Sequence, residues 1–223
     1  VACFIAFIRL FKSSFGIMQH QWQMLIVIII AATLLIGNIT AVFQQSIKRM
    51  MAYSSISHAG FMMFALFALS DSANDGLILY TAAYSLATIG IFAILIKMAD
   101  YSIEGFNGLG KKEPVLAFTA TIFLLSLTGI PLTAGFTAKF YILIAAVKDG
   151  HQVWLVILAV ICAGISAIYY FRVIQAIYFK EPVPGVNEEI NTSPSFKWLL
   201  IITAAIIIIL GIMPGLVIDW LYY

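Results

Sequence analysis

The stretch Val115–Val147 reads VLAFTATIFLLSLTGIPLTAGFTAKFYILIAAV, and its reading decides the fold. It holds 33 residues of almost continuous apolar character. As one straight helix it would run about 50 Å at 1.5 Å per residue. That overshoots a bilayer core of about 30 Å, which roughly 20 apolar residues cross. Its centre, Thr128-Gly129-Ile130-Pro131-Leu132-Thr133-Ala134-Gly135, carries the means to interrupt it. Pro131 lacks an N–H and its ring clashes with the preceding turn, while Gly129 and Gly135 add backbone freedom. The simplest reading is two half-helices joined by an extended break inside the membrane. Transporters tolerate such breaks where protein buries them or water reaches them, with ions near the unwound segment. A plain proline kink is the other reading, because Pro and Gly are common in membrane helices.

Lys139 bears on that choice. It lies in the second half, in Phe136-Thr137-Ala138-Lys139-Phe140-Tyr141, well inside the apolar run. A lysine at membrane depth costs roughly 2.5–3.5 kcal/mol on insertion scales. The positions three and four residues away are Gly135, Phe136, Ile142 and Leu143, so its own helix offers no carboxylate. Relief must come from another helix, from water or from loss of the proton, and desolvation favours that loss. A lysine poised to lose its proton can take and give one. The alternative is a structural lysine paired with an acid in the half of the protein missing from this chain.

Working outward, the apolar runs Trp22–Phe43, Met50–Leu69, Leu77–Met98, Val153–Phe179 and Phe196–Ile218 also reach bilayer length. With the interrupted run they predict about six transmembrane helices in an all-α integral membrane protein. Barrel strands are excluded, because those are about 10 residues long and alternate. The first segment, Val1–Phe11, is apolar but too short to span, and it has no basic flank or cleavage site of a signal peptide. It reads as the tail of a truncated helix, and the chain as a fragment forming one transmembrane domain over 1–223.

Composition agrees. The 223 residues are 63% hydrophobic and 10% charged, with a mean hydropathy of +1.05; soluble chains run near 45–50% apolar and about 25% charged. A net charge of +2 without a Lys/Arg-rich run argues against nucleic acid as a partner. Cys3 and Cys162 lie in apolar stretches and read as packing residues, not as a metal site or disulfide framework.

One side of the membrane collects Lys48, Arg49, Lys97, Lys111, Lys112, Arg172, Lys180 and Lys197, and the other Arg9, Lys12 and Lys148. The richer side is expected to be cytoplasmic. The C-terminus then lies outside, with Trp220, Tyr222 and Tyr223 as an interfacial belt, and Glu181–Ser195 as a polar surface loop. Arg172 is expected to snorkel and Lys97 to anchor a helix end. His20 and His151 fall at membrane edges and receive no role.

A few polar groups remain at depth. His58 sits in Ala52-Tyr53-Ser54-Ser55-Ile56-Ser57-His58-Ala59-Gly60, with Ser54 one turn before it. A buried histidine relays protons because its ordinary pKa is near 6.5, or it is a hydrogen-bonded packing residue; both readings stand. Tyr84, Ser85 and Thr88 share one helix face and read chiefly as interhelical contacts, with Tyr84 the exception that could support a polar path. Thr128 and Thr133 flank the break and could do the same.

The residues also carry a resemblance. Ile47-Lys48-Arg49-Met50-Met51-Ala52-Tyr53-Ser54-Ser55-Ile56-Ser57-His58-Ala59-Gly60-Phe61 resembles the loop-and-helix signature of the antiporter-like membrane subunits of respiratory complex I. Leu127 to Tyr141 resembles their broken helix, and Ile168-Tyr169-Tyr170-Phe171-Arg172 the helix after it. The Lys-Phe-Tyr after the break is the pattern of the family branch called subunit N. The likeness covers almost the whole chain. It implies a fourteen-helix fold with two inverted repeats, of which this chain holds the end of the eighth helix and the ninth to fourteenth. Lys139 falls on the family's proton-channel lysine and His58 on the histidine of its central polar axis. The family's Glu–Lys pair and central Lys would precede Val1. Ala138 stands where the family usually has Gly.

The function this implies is proton translocation through a half-channel centred on Lys139, coupled to quinone reduction in a proton-pumping NADH:quinone oxidoreductase. No cofactor is expected on this chain, which lacks a dinucleotide fingerprint and a cysteine cluster. NADH, FMN, iron–sulfur clusters and quinone would belong to partner subunits. The implied location is the cytoplasmic membrane of a bacterium, among other membrane subunits and lipid. The rivals are a subunit of a multi-subunit sodium/proton antiporter or membrane-bound hydrogenase, a non-conducting structural subunit, and an independent solute transporter.

Overall fold

The computed structural model describes residues 2–14, 19–148, 152–183 and 192–218. Within them the elements are α1 (Ala2–Ser14), α2 (Gln19–Val42), α3 (Ile47–Ala68), α4 (Asp71–Lys97), a short 3-10 turn (Glu104–Phe106), α5 (Leu109–Lys112), α6 (Pro114–Thr128), α7 (Ala134–Lys148), α8 (Val153–Phe179), α9 (Pro194–Ile212) and α10 (Gly215–Ile218). A backbone in lipid must satisfy itself, and helices do so within one segment. Five helices, α2, α3, α4, α8 and α9, are long and apolar enough to cross a bilayer. The pair α6–α7 makes a sixth crossing in two pieces, each of 15 residues. The expected architecture of about six crossings with one broken helix is therefore what the chain forms, and α1, with 13 residues, is too short to cross.

Boundaries depart from the apolar runs where polar residues do structural work. Helix α4 begins at Asp71, not Leu77, because the Ser70 hydroxyl accepts from the Ala73 N–H and Asp71 suits the positive end of the helix dipole. Helix α9 stops at Ile212, not Ile218, because Pro214 cannot donate to its ladder, and the short α10 follows. Pro194 opens α9 with Ser193 as its cap, so part of the expected Glu181–Ser195 loop is helical. Residues 184–191 of that loop, His151, Trp220, Tyr222 and Tyr223 lie outside the described residues, as do the side chains of Lys12 and His20.

The basic edge is stitched together. The Ile47 N–H donates to Tyr101 and the Ile103 N–H to Gln45. Lys48 stands 3.2 Å above the Tyr101 ring, and Lys197 pairs with Glu113 at 2.7 Å. Lys97 faces the ring of Phe196. The Asp100 carboxylate accepts from the Ser102 hydroxyl and N–H, which holds its carboxyl below the usual range. Arg172 does not snorkel: it is half-buried, and its guanidinium donates to the Gln44 carbonyl. Protein, not headgroup, receives it.

Inside, α2 packs on α3 and α4 on α7, around Phe61, Phe64, Phe67, Phe106 and Phe123. Cys162 is buried there, but Cys3 is exposed on α1, so the packing role holds for one cysteine only. The outer faces carry exposed Ile36, Ile89, Phe118, Ile161 and Ile202, a surface suited to lipid and costly in water.

Candidate functional site

The site grows from the end of α6. Gly129 adopts a left-handed conformation (φ +88°) that an L side chain resists, and its N–H turns back to the Leu125 and Ser126 carbonyls at 2.9 and 3.1 Å. The Ile130 N–H also returns to Leu125, at 3.0 Å. This cap consumes the carbonyls of Leu125 and Ser126 and leaves those of Leu127 and Thr128 without helical donors. The chain then restarts at Ala134, where the Thr133 carbonyl accepts from the Phe136 N–H and the Gly135 N–H donates to the Ser126 hydroxyl.

Lys139 lies in the second turn of α7. Helical side chains lean toward the N-terminus, so it reaches back to the end of α6. Its ammonium donates to the Leu127 carbonyl at 2.9 Å and the Thr128 carbonyl at 2.8 Å. It lies 4.9 Å from the centre of the Phe61 ring and is 7% exposed. Hydrogen bonds to a charged group contribute about 1.5–3 kcal/mol each. Two of them offset the roughly 2.5–3.5 kcal/mol cost of a lysine at depth, helped by the negative end of the α6 dipole. The relief comes from another helix, and no carboxylate among the described residues pairs with it.

His58 faces the same space from α3. A cavity between them is lined by His58, Tyr80, Tyr84, Ser126, Leu127 and Lys139, with about 10 Å³ open to water centres, near the lower bound for one water. The His58 ring shares hydrogen bonds with the Tyr80 hydroxyl at Nδ1 (2.7 Å) and the Tyr170 hydroxyl at Nε2 (3.3 Å). Tyr84 tilts across the ring at 4.9 Å between centres. Tyr170 in turn meets the Ser54 hydroxyl. Beside it, the Tyr169 hydroxyl donates to Asn38 Oδ1 at 3.2 Å, and Asn38 Nδ2 donates to Ser57 Oγ at 2.7 Å. Five helices thus contribute to one buried polar cluster running outward from Lys139.

Lys139, His58, Tyr84 and Ser54 are brought together, with Ser54 acting through Tyr170. The hydroxyls of Thr128 and Thr133 are not: they donate to the Leu124 and Ile130 carbonyls, both at 2.7 Å. Thr128 touches Lys139 through its backbone instead. Tyr80, Tyr170, Tyr169 and Asn38 complete the cluster. Asn38, the one asparagine within the apolar run of α2, and Tyr80 one turn before Tyr84, are sequence signals that could have found two of them. Among the described residues no group of three His, Cys, Asp or Glu side chains gathers where a metal ion could be held.

The chain as a whole is similar to known proteins. The chain is 38% identical to NADH-quinone oxidoreductase subunit N 1 of Solibacter usitatus, over 98% of this chain and 46% of that protein. It is 41% identical to the protein of the same name from Thermodesulfovibrio yellowstonii, over 96% of this chain and 46% of that one. The chain therefore spans about half the length of these relatives. Among solved structures it superposes on a chain of respiratory complex I from Thermus thermophilus with a TM-score of 0.76, at 29% identity, covering 87% of this chain and 44% of that one. The family model described as NADH:quinone oxidoreductase/Mrp antiporter, transmembrane, matches residues 1–166. A broken helix with a buried lysine, inside a bundle so matched along its length, is a membrane protein of known descent: the chain belongs to the NADH:quinone oxidoreductase/Mrp antiporter transmembrane family.

Proposed function

We propose that this chain is a proton-translocating membrane subunit of an NADH:quinone oxidoreductase, with Lys139 as the group that exchanges protons. The observation that carries the reading is the placement of Lys139. Its ammonium rests on two backbone carbonyls and not on a carboxylate. A fixed acid would hold the proton, whereas neutral carbonyl dipoles let it go and receive it again. The small cavity at His58 supplies a place for a water between donor and acceptor. His58, bonded to Tyr80 and Tyr170, passes the proton into the polar cluster, because imidazole can accept at one nitrogen while it donates at the other. Tyr84 and Ser54 support that path.

Moving one charge against 100 mV needs about 2.3 kcal/mol, which electron transfer elsewhere in the complex would supply. The NADH, FMN, iron–sulfur and quinone sites belong to partner subunits in this reading. The subunit lies in the cytoplasmic membrane of a bacterium, with its basic edge inside and its C-terminus outside.

The test is Lys139→Ala in the complete complex, reconstituted in proteoliposomes. NADH-driven acidification, read with a pH dye, should fall by an order of magnitude or to nothing. Acidification at the wild-type rate would remove Lys139 from the path. The partners that co-purify with the chain separate this reading from a sodium/proton antiporter of the same fold: iron–sulfur subunits support the first and only small membrane subunits the second.

A further inference from the structure

Three hydroxyls of α6, those of Thr119, Thr121 and Thr128, donate to carbonyls four residues back at 2.9, 2.8 and 2.7 Å. That is a common fate for a hydroxyl inside a helix. Ser126 departs from it. Its oxygen accepts from the Gly135 N–H at 3.2 Å, and among the described residues its own O–H has no acceptor. The residue is 2% exposed, and a buried donor left unpaired is costly.

Ser126 lines the cavity between Lys139 and His58. The walls come from α3, α4, α6 and α7 of this chain, and every lining residue except Tyr84 is buried. Lys139 brings an unspent donor to the same space. An ammonium has three N–H bonds, and the Leu127 and Thr128 carbonyls take two. The third N–H and the Ser126 O–H thus meet a cavity with room for one water. A water oxygen has two lone pairs, one for each of them. An ordered water needs two to four polar partners, and Lys139, Ser126 and His58 make three.

We infer that Ser126 is a positioning residue for proton exchange: its hydroxyl, fixed by the Gly135 N–H, holds one water between the Lys139 ammonium and His58. A serine oxygen has two lone pairs and one proton to donate. Gly135 occupies one lone pair, so the O–H and the second lone pair are left for the water. The hydroxyl donates to the water while it is neutral and turns to accept from it while it carries an extra proton. In the transfer an Nζ–H bond of the ammonium breaks as an O–H bond forms on the water. The water passes one of its original protons to His58, which leaves the amine neutral and the water whole. The inference rests on the reading of Lys139 as the proton-exchanging group.

The test uses the complete complex, imaged by electron microscopy at a resolution that shows ordered water, and assayed for acidification per NADH oxidised. The wild-type map should show one water within hydrogen-bonding distance of Ser126 Oγ and Lys139 Nζ. In Ser126→Ala that density should vanish while Lys139 stays on its two carbonyls. Acidification should fall several-fold, and the ratio of its rates in H2O and D2O should rise, which a purely structural loss would not cause. Ser126→Thr, which keeps the hydroxyl, should retain the water. A wild-type map without a water bonded to Ser126 overturns the inference, even where the alanine variant fails to assemble. Persistence of the water in Ser126→Ala overturns it as well. Lost transport in Lys139→Ala together with wild-type transport in Ser126→Ala overturns this inference alone and leaves the role of Lys139 standing.

Discussion

Helices α8 and α6–α7 cross the same bundle, and only one of them is whole. Helix α8 runs 27 residues without interruption, so its backbone is spent on its own ladder except near its end, where the Ala176 carbonyl accepts from the Gly108 N–H. What it offers the interior is side-chain hydroxyls: Tyr169 to Asn38, and Tyr170 to His58 and Ser54. The α6–α7 crossing gives up part of its ladder and gains two oriented carbonyls, on which the one buried ammonium among the described residues rests. A continuous helix can carry neutral relay groups; a broken one can hold a cation with no counter-charge. The glycines tell the same story. A Cβ on Gly135 would lie 1.8 Å from the Ser126 carbonyl oxygen, whereas one on Gly164 in α8 would meet nothing within 4 Å.

Substitutions can break this contrast or sharpen it. Gly135→Ala should have the largest effect on stability. The half-helices touch there through backbone that cannot rotate aside, so overpacking should cost about 3 kcal/mol or more, visible as loss of the assembled complex on native gels. Gly129→Ala comes next, at about 1–2 kcal/mol for a left-handed alanine. Its Cβ would also press on the Lys139 side chain at 3.0 Å, so proton transport should fall further than NADH oxidation. Equal losses in both would mean that the cap does not position the lysine. Tyr170→Phe should cost about 1 kcal/mol, in the range of hydrogen bonds between membrane helices. It should slow proton transfer while leaving Lys139 on its carbonyls, and unchanged transport would take Tyr170 out of the relay. Gly164→Ala should be the smallest, neutral or stabilising by about 0.5–1 kcal/mol in thermal unfolding of the complex. Destabilisation there would contradict an unstrained α8.

The deep lysine and the break are legible in the sequence, because each violates a local rule. A charge in an apolar run and a proline within a helix are visible one residue at a time. The partners of Lys139 are not. They are main-chain oxygens of Leu127 and Thr128, and nothing in a side-chain pattern marks which carbonyls a cap will leave free. The hydroxyls of Thr128 and Thr133 invited a role that the backbone had already claimed, since both are satisfied by carbonyls three and four residues back. The sequence puts Arg172 at the basic edge, but it cannot show that the Gln44 carbonyl waits there.

Hydropathy and run length by themselves determined that the chain crosses a membrane about six times, where one crossing is interrupted, and that Lys139 and His58 lie at depth. These follow from a solvent that penalises every polar group, so that each exception stands out in the chain. Which groups meet was decided only by tertiary packing. Asn38, Ser54, His58, Tyr80 and Tyr170 come from four different helices, and their hydrogen bonds depend on how those helices rotate about their axes, a choice made by the fit of one face against another over the whole bundle.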